Sequence, residues 1–541
     1  MSARPPAFAD LARIAVLGLA AGLVGGLALA LARLREYADA GFPRVLFHAS
    51  VQAVNDALPW GLLAGAVAGA LVFLLGRRAQ PSLRLARRRA PWLALALLAA
   101  LVVGLNAASW LAARCARRPN IIVLLVDVLG AEHLGVYGYE RPTSPQIDRF
   151  AADCVVFTQA IAQSTFTKTS VASLFTGLYP YRHGVYRGDK QDTADRVTSD
   201  VLGADLTTLA EALRERGLVT AAWVHNAHLR AYLGFDQGYL DYHDQPGRIP
   251  KIRESYRAWR ARLGRVDPFF AYFHFIDLHG PNRPEPPYAG RFGHYSDAWS
   301  SLPEEGYTAL MKAIRAGEKV PDAAGAAQLR ADHDAVLLQV DADLGRLLDD
   351  FKAEGIYDDS LIVLTGDHGE AFMQHGIVGH SWIPHEELIR VPLLVKLPGS
   401  RHAGRRVHGQ VRLVDLAPTL VEFAGGRVPP GLDGTSLMPF LGDQPPGAGS
   451  AALAVSEHGS TVALRSERWK YIRLRDGHEL LHDLTADPAE QRNVIEAHPG
   501  EAQGFAEIAR RIDQARKDRQ ADEAVLDPDT VEALRALGYL E

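Results

Sequence analysis

Two short apolar runs each end in residues that could bind a metal ion. The run Ile121–Val126 ends at Asp127, and the run Leu361–Leu364 leads to Asp367 and His368. Both runs predict buried strands, and open α/β sheets bind ligands at the carboxyl ends of such strands. Two carboxylates and an imidazole suit Mn²⁺ or Zn²⁺ better than Ca²⁺, which prefers oxygen ligands. The sequence therefore predicts a divalent-metal site, although either aspartate alone could simply cap a turn.

A hydroxyl-rich segment at residues 164–170 could supply a nucleophile. Its sequence is Ser-Thr-Phe-Thr-Lys-Thr-Ser, and apolar residues follow it at helical spacing, which predicts the entry to a helix. Helix N-termini bind anions, and a threonine hydroxyl there would lose its proton more easily beside a metal ion. Taken alone, however, the segment fits helix capping better than catalysis.

These segments need an α/β framework to bring them together. Apolar residues recur at helical spacing between Val336 and Phe351, and the second of the two strands follows. Residues 241–254, 281–303 and 321–327 contain prolines or glycines with little periodicity and predict loops. Further on, residues 461–464 and 470–474 predict strands of a small antiparallel unit, and residues 529–537 predict a terminal helix.

Three apolar runs, each near the ~20 residues that cross a bilayer, precede this framework. They span Leu11–Leu31, Ala57–Leu75 and Trp92–Ala113, and each predicts a transmembrane helix. Arginines at positions 77, 78, 84, 87, 88 and 89 crowd the second connection, which should keep that loop cytoplasmic. We therefore expect a multi-pass cell-membrane protein in contact with inner-membrane lipids, whose soluble part is extracytoplasmic and faces the periplasm or the outside.

The composition agrees with a mosaic of membrane and water-soluble parts. The chain has 541 residues, of which 48% are hydrophobic and 22% charged, and these values exclude a disordered chain and an entirely membrane-embedded one. The 58 lysines and arginines against 63 aspartates and glutamates give a formal net charge of −5, so we expect no nucleic-acid partner. Two cysteines exclude a disulfide scaffold.

A series of motifs in a fixed order resembles the sulfatase family of the alkaline phosphatase superfamily. The resemblance covers nearly everything after Pro119, and its motifs include Pro119-Asn120 through Asp127, His133-Leu134-Gly135, Tyr137-Gly138-Tyr139, Leu174 to Pro180, Arg182-His183-Gly184, Gly366 to Glu370, Arg390-Val391-Pro392, Leu432-Asp433-Gly434 and Trp469 to Ile472. It implies an alkaline phosphatase-like α/β fold, with a mixed, mostly parallel sheet flanked by helices and a small α+β C-terminal subdomain. We expect a membrane domain at 1–117, a catalytic domain at 118–445 and the subdomain at 446–541.

The resemblance also implies a metal-dependent active site. Asp127, Asp367 and His368 match the metal ligands of the family. The position of the nucleophile, counted back from the Thr-Gly pair at 176–177, falls on Thr167, whose hydroxyl would also contact the metal. The implied cofactor is a divalent ion, and the mixture of oxygen and nitrogen ligands favours Mn²⁺ or Zn²⁺ over Ca²⁺.

Five further residues receive roles around this centre. His279 matches a family histidine that contacts the substrate anion or the leaving oxygen, and His380 is the alternative donor of a proton to that oxygen. Lys168 would neutralise the equatorial oxygens of the substrate. Asn226 and His228 lie where the family often places additional side chains that bind the anion.

Departures from the family pattern change the expected chemistry. The main branch of the family carries a cysteine or serine that is modified to formylglycine, whereas Thr167 cannot form formylglycine by that route. The usual supporting arginine is Val171, and the second aspartate of the usual pair is Val128. A threonine nucleophile with two aspartates and one histidine resembles phosphoryl-transferring relatives such as lipoteichoic acid synthases and phosphoethanolamine transferases. This resemblance favours phosphate esters over sulfate esters.

Three functions stay open at this point. The preferred one is a membrane-anchored, extracytoplasmic hydrolase of sulfate or phosphate esters of a glycan, a lipid headgroup or a small molecule. The second is a transferase that moves a phosphoglycerol or phosphoethanolamine headgroup to envelope lipids or glycans. The third is a catalytically silent binding module, which the complete set of candidate ligands disfavours because a degraded site would lose at least one of them.

Overall fold

The computed structural model describes residues 119–186, 190–193, 196–263, 267–296, 306, 309–310, 313–314, 318–380, 382–443 and 453–536. These residues belong to a compact unit that spans Arg117–Glu541. The three predicted membrane spans, and with them the membrane domain at 1–117, lie outside the described residues. Within the described ranges, no helix combines the length and the apolar character needed to cross a bilayer.

Strands and helices alternate through most of this unit. The strands are β1 (Ile121–Val126), β2 (Val155–Ile161), β3 (Lys190–Thr193), β4 (Arg196–Asp200), β5 (Val219–Val224), β6 (Asp241–Asp244), β7 (Phe269–Phe275), β8 (Leu361–Gly366), β9 (Ala371–Phe372), β10 (Val378–Gly379), β11 (Arg390–Lys396), β12 (Arg406–Arg412), β13 (Ala454–His458), β14 (Thr461–Arg465), β15 (Trp469–Arg473), β16 (Glu479–Asp483) and β17 (Glu523–Val525). The α-helices are α1 (Pro145–Ala151), α2 (Thr167–Thr176), α3 (Pro180–His183), α4 (Leu209–Glu215), α5 (Ile249–Arg262), α6 (Ala323–Ala353), α7 (Glu386–Ile389), α8 (Leu416–Phe423), α9 (Met438–Leu441), α10 (Pro499–Asp518) and α11 (Pro528–Ala536).

An eight-stranded mixed sheet forms the centre of the unit, with strand order β12-β2-β11-β8-β1-β7-β5-β6. Strand β1 lies in the middle and runs parallel to β7 and to β8. Strand β11 is antiparallel to both of its neighbours, β2 and β8. The sheet is therefore mixed and mostly parallel, as the resemblance implies.

Two layers of helices cover the two faces of this sheet. Successive residues of β1 point to opposite faces, so Ile121 and Val123 join one apolar core and Ile122 and Leu124 join the other. Helices α2, α4 and α8 contact one another and contribute to the first core. Helices α1, α5 and α6 contribute to the second. Because both faces are buried, the strands carry continuous apolar runs rather than alternating patterns.

The C-terminal part forms a small subdomain. Strands β13 to β16 make a four-stranded antiparallel sheet, and α10 packs against β14 and β15. Their shared apolar core includes Val462, Leu464, Tyr471 and Ile512. The prediction of a small α+β subdomain is therefore confirmed. The chain then returns toward the main unit, where β17 pairs with β4.

Two predicted loops differ from the structure. Residues 241–254 contain the edge strand β6 and the first turn and a half of α5. Four side chains of α5 at helical spacing are buried, namely Ile249, Ile252, Tyr256 and Trp259. Pro250 is compatible with this helix because it occupies the first turn, where its missing N–H has no intrahelical acceptor to satisfy. The prediction of a loop at 321–327 was also wrong in part, since α6 already begins at Ala323.

Candidate active site

The strand register brings the two aspartates to one edge of the sheet. Val126, at the end of β1, pairs with Gly366 of β8 on one side and with Phe275 of β7 on the other. Asp127 and Asp367 therefore follow neighbouring strands at the same level. The backbone N–H of Asp127 donates to Phe275 O at 2.9 Å, which extends the pairing by one residue and fixes the direction of the carboxylate.

Asp127, Asp367 and His368 form a buried group that could hold a metal ion. Each offers one ligand atom, these atoms lie within 4.8 Å of one another, and all three side chains are 0% exposed. His368 Nδ1 lies 3.0 Å from Gly369 O, a geometry in which Nδ1–H donates and Nε2 keeps its lone pair for a metal. Asp367 Oδ2 has no hydrogen-bond partner in the described part of the chain. Two carboxylate oxygens and one imidazole nitrogen are suitable ligand atoms for a divalent cation.

Tight backbone packing supports this group. The backbone N–H groups of Val128 and His368 both donate to Asp367 Oδ1, at 3.1 and 3.0 Å. Val128 adopts φ 55°, in the left-handed region that a β-branched residue rarely occupies. A Cβ added at Gly369 would lie 2.1 Å from Glu387 O, so only glycine fits directly after His368. The chain therefore holds the Asp367 carboxylate in one orientation, with Oδ2 directed toward the other ligands.

Thr167 is the first residue of α2, and its hydroxyl faces the same centre. Thr167 Oγ1 lies 3.4 Å from Asp127 Oδ1 and 3.3 Å from His368 Nε2. The helix is tied to the second strand end by Ser170, whose hydroxyl donates to Asp367 O at 2.7 Å. The positive end of the helix dipole therefore lies at the candidate nucleophile, where it favours bound anions.

The pKa shifts in this group reflect two carboxylates that are buried side by side. Burial alone would raise the pKa of Asp127, but the hydrogen bond and charge of His274, with the charges of His279 and His368, hold that pKa below its usual range. Burial, followed by the charge of Asp127, raises the pKa of Asp367. Burial would lower the pKa of His368, but the charges of Asp367 and Asp127 raise it. A divalent cation would compensate the two carboxylates in place of these protons.

Two side chains hold the outer oxygen of Asp127. The amide of Asn226 donates to Asp127 Oδ2 at 2.7 Å, and His274 Nε2 lies 3.1 Å from the same oxygen. Asn226 therefore supports Asp127, one of the candidate metal ligands. Asn226 Oδ1 accepts the backbone N–H of His228 at 2.9 Å. The sequence reasoning missed His274. The only signal was a histidine within the otherwise apolar and aromatic strand β7.

The other predicted site residues make different contacts in the region of Thr167. The ring of His380 lies 4.9 Å from that of His368 and 5.4 Å from that of His279, so these three histidines form one cluster. The ring of His228 instead packs edge-on against Phe166 at 4.7 Å. Lys168 is fully buried and donates to Ser199 of β4. The histidine cluster is therefore beside the candidate metal ligands, whereas the Lys168 ammonium is directed to β4.

The C-terminal subdomain also reaches this region. His458, at the end of β13, lies with its Nδ1 2.6 Å from Thr165 Oγ1. Its ring lies 4.0 Å from that of Trp382, whose side chain is half exposed. The C-terminal subdomain therefore contacts the catalytic part of the chain at Thr165, two residues before Thr167. No periodicity or motif in the sequence indicated this contact.

Taken together, the site can support ester cleavage at an anionic centre. It combines a hydroxyl at a helix N-terminus, a set of cation ligands beside it and a cluster of histidines that can move protons. All of these groups lie at the carboxyl edge of the central strands, where the sequence analysis expected them.

Comparisons with known proteins agree with this geometry. Residues 119–426 match the sulfatase family model, and residues 374–518 match the model described as N-sulphoglucosamine sulphohydrolase, C-terminal. An ulvan-active sulfatase of Formosa agariphila is 23% identical over 70% of this chain and 77% of its own length. A multifunctional alkaline phosphatase superfamily protein, PehA of Trinickia caryophylli, is 28% identical over 46% of this chain and 57% of its own length.

A solved structure shows the same fold. The phosphonate monoester hydrolase of Agrobacterium radiobacter superposes with a TM-score of 0.60 at 23% identity, over 74% of this chain and 96% of that one. The mixed sheet with flanking helices is therefore alkaline phosphatase-like. Because the sulfatase model also spans more than half of the sequence, the chain belongs to the sulfatase family of the alkaline phosphatase superfamily and is an ester hydrolase of that family.

Proposed function

We propose that this chain is a metal-dependent hydrolase that cleaves phosphate esters in preference to sulfate esters, with Thr167 as its nucleophile. The observation that carries the proposal is the position of Thr167 Oγ1, 3.4 Å from Asp127 Oδ1 and 3.3 Å from His368 Nε2. An unmodified hydroxyl can attack phosphorus and be regenerated by water, so it needs no formylglycine.

In the first step, Thr167 Oγ1 attacks phosphorus as the bond from phosphorus to the leaving oxygen breaks. The hydroxyl proton passes to solvent water, because Asp127 Oδ1, 3.4 Å from Oγ1, is a metal-ligand candidate whose pKa lies below the usual range. The N-terminus of α2 stabilises the negative charge on the phosphoryl oxygens. A Mn²⁺ or Zn²⁺ ion held by Asp127, Asp367 and His368 would withdraw electron density from the hydroxyl and from the phosphoryl oxygens. The products of this step are phosphothreonine and the alcohol.

A histidine protonates the leaving oxygen in the same step. His279 and His380 lie in the ring cluster with His368, and His279 Nδ1 lies 2.8 Å from Gly280 O, which fixes the orientation of its ring. Water then attacks the phosphorus of phosphothreonine, the bond to Oγ1 breaks, and phosphate leaves. The histidine that protonated the alcohol takes a proton from the attacking water, Thr167 Oγ1 takes one from solvent, and the enzyme returns to its first state.

We also propose that the enzyme is anchored in the cell membrane. The arginines between the second and third apolar runs support a multi-pass membrane anchor with the active site on the extracytoplasmic side. This orientation would bring lipid headgroups and envelope glycans within reach as substrates. A tag fused after Glu541 should then be accessible from outside the inner membrane, and accessibility only from the cytoplasm would contradict the orientation.

A transferase is the second candidate, and the threonine at the nucleophile position favours it. A phosphothreonine intermediate can be resolved by a second alcohol as well as by water. Transfer of phosphoglycerol or phosphoethanolamine to an envelope glycan or lipid would differ from hydrolysis only in the acceptor. Product analysis in the presence of added glycan or glycolipid alcohols separates the two functions.

The decisive experiment compares substrates and variants of the purified full chain in detergent. Aryl sulfate, phosphate monoester and phosphodiester turnover is measured with Mn²⁺, Zn²⁺ or Ca²⁺ for the wild type and for Thr167→Ala, Thr167→Ser and Thr169→Ala. We expect phosphoester turnover that is lost in Thr167→Ala, partly kept in Thr167→Ser and kept in Thr169→Ala, which changes a hydroxyl in the same helix. Turnover that survives in Thr167→Ala would disprove the nucleophile, and cleavage of sulfate esters alone would disprove the preference.

A further inference from the structure

A second group of metal-binding side chains lies outside the candidate active site. His133 belongs to the 3-10 turn Ala131–His133 that follows β1, and His333 and Asp334 lie in the first half of α6. The three side chains are at most 2% exposed, and one ligand atom from each lies within 4.8 Å of the others. This group joins two segments that are 200 residues apart in the sequence.

The polar atoms of this group have no hydrogen-bond partners among the described residues. This holds for both ring nitrogens of His133, both ring nitrogens of His333, and Asp334 Oδ1. His133 Nδ1 lies 3.5 Å and His333 Nδ1 lies 3.7 Å from Asp334 Oδ1, and both distances are too long for hydrogen bonds. Each buried polar group left without a partner costs about 1–3 kcal/mol, so these five buried atoms, four ring nitrogens and one carboxylate oxygen, call for a ligand.

The surroundings of Asp334 orient it toward the two imidazoles. Its Oδ2 accepts the hydroxyl of Tyr139 at 2.7 Å and the guanidinium of Arg141 at 2.8 Å. These bonds leave Oδ1 directed toward His133 and His333. Outer hydrogen bonds of this kind are typical of carboxylates that bind metals.

The spacing of the ligand atoms also suits a small cation. Zinc lies about 2.0–2.1 Å from nitrogen and oxygen ligands, so tetrahedral ligand atoms are roughly 3.3 Å apart. The distances of 3.5 and 3.7 Å from the two histidines to Asp334 Oδ1 are close to this spacing, and all three ligand atoms lie within 4.8 Å of one another. The phenyl ring of Phe372 packs 5.5 Å from the ring of His133 and 4.8 Å from that of His333, and so excludes water from one side.

We propose that His133, His333 and Asp334 bind a second divalent cation, Zn²⁺ by preference, which ties α6 to the turn after β1. Two imidazoles and one carboxylate are a zinc ligand set with room for one water molecule. Because β1 also ends in Asp127, this ion would stabilise the segment that carries a ligand of the candidate active site. The proposal does not depend on the nucleophile or on the substrate.

The test is metal content of the purified full chain after loading with Zn²⁺ and removal of excess ion. We expect two zinc ions per wild-type chain and one in His133→Gln or His333→Gln. The surface variant His478→Gln should keep both, because the side chain of that histidine is 78% exposed and belongs to neither group. The double variant Asp127→Asn/Asp367→Asn, which removes the active-site ligands, should retain one ion and lose it when His133→Gln is added.

Thermal unfolding provides a readout that does not depend on activity. Added Zn²⁺ should raise the unfolding midpoint of the Asp127→Asn/Asp367→Asn variant, and this increase should disappear with His133→Gln. Absence of zinc from the active-site double variant, with a normal unfolding transition, would overturn the proposal. Unchanged zinc content in both His133→Gln and His333→Gln would also overturn it.

Discussion

His274 Nε2 lies 3.1 Å from Asp127 Oδ2, and this contact links two neighbouring strands of the central sheet. The other ring nitrogen, Nδ1, lies 3.1 Å from the hydroxyl of Tyr272, which can donate to it. Nε2–H donates to Asp127 Oδ2, because an ionised carboxylate oxygen can only accept. The outer oxygen of Asp127 is therefore occupied, and Oδ1 is left to face Thr167 and His368.

Replacing His274 should weaken metal binding without removing a ligand. His274→Leu keeps most of the volume but removes the donor to Asp127. Loss of such an outer partner typically reduces metal affinity about 10–100-fold. We expect turnover of His274→Leu at low metal concentration to fall accordingly and to recover when Mn²⁺ or Zn²⁺ is added in excess.

Two further variants test whether the hydrogen bond is the cause. In His274→Gln an amide can replace the Nε2–H donor, so its metal affinity should lie closer to that of the wild type. Tyr272→Phe leaves the bond to Asp127 in place and should have the smallest effect. Equal metal affinity in His274→Leu and the wild type, measured by titration of turnover against metal, would show that Asp127 needs no support from β7.

The main ligands of the site could be predicted because each follows an apolar run directly. Asp127 and Asp367 follow two buried strands, and parallel strands place their carboxyl ends at the same edge of the sheet. His274 could not be predicted in the same way. Its contact with Asp127 depends on β7 lying next to β1, and the two residues are 147 positions apart. A histidine in an apolar strand is equally consistent with a purely structural role.

The missed helix α5 has a different cause. Its buried side chains do follow a helical period, but Pro246, Gly247 and Pro250 gave the stronger local signal. Tertiary packing of Tyr256 and Trp259 against Trp223 stabilises the helical conformation of this segment. Long-range contacts of this kind are absent from any window of the sequence, so local propensity predicted a loop.

The role of His279 can be tested with leaving groups. If His279 protonates the leaving oxygen, His279→Gln should slow hydrolysis of alkyl phosphate esters by about 10²–10⁴-fold. Esters of 4-nitrophenol leave without a proton and should be affected much less. His380→Gln should reduce both rates to a similar extent. Measured kcat/KM values for the two ester classes decide this, and a leaving-group dependence found only in His380→Gln would transfer the role to His380.

A buried ion pair near the junction with the subdomain should be important for stability. Arg412 Nη2 donates to Asp415 Oδ1 at 2.6 Å, both side chains are 4% exposed, and Arg412 Nη1 also donates to the hydroxyl of Tyr179. Burial raises the pKa of Asp415 despite the charge of Arg412. Removing one partner of a buried pair costs about 3–5 kcal/mol, so Asp415→Asn should lower the free energy of unfolding by that amount.

Urea unfolding followed by tryptophan fluorescence measures this loss. The matched control is Glu507→Gln, which breaks pairs with Arg510 and Arg511 on the exposed face of α10 and should change the free energy of unfolding by less than about 1 kcal/mol. Similar effects of the two substitutions would mean that water reaches the Arg412–Asp415 pair.

His183 should make the stability depend on pH. Its Nδ1 accepts the backbone N–H of Val185 at 3.0 Å, and its Nε2 lies 2.9 Å from the hydroxyl of Ser173. The ring is fully buried, so it cannot gain a proton without losing a hydrogen bond. Burial, with a smaller contribution from the charge of Arg519, lowers the pKa of His183 to about 3.

The unfolded chain binds this proton with an ordinary histidine pKa of about 6.5. Between that value and the folded-state pKa of about 3, the unfolded state holds more protons than the folded state. Stability is therefore lost as the pH falls below about 6.5, by about 1.4 kcal/mol per pH unit for this group. Between pH 7 and pH 5 the free energy of unfolding should fall by about 2 kcal/mol more in the wild type than in His183→Gln.

Denaturant unfolding at the two pH values measures the difference, with His478→Gln as the exposed-histidine control. A pH dependence in His183→Gln as steep as that of the wild type would mean that His183 binds its proton equally well in the folded and unfolded chain, which contradicts its acceptance of the Val185 N–H.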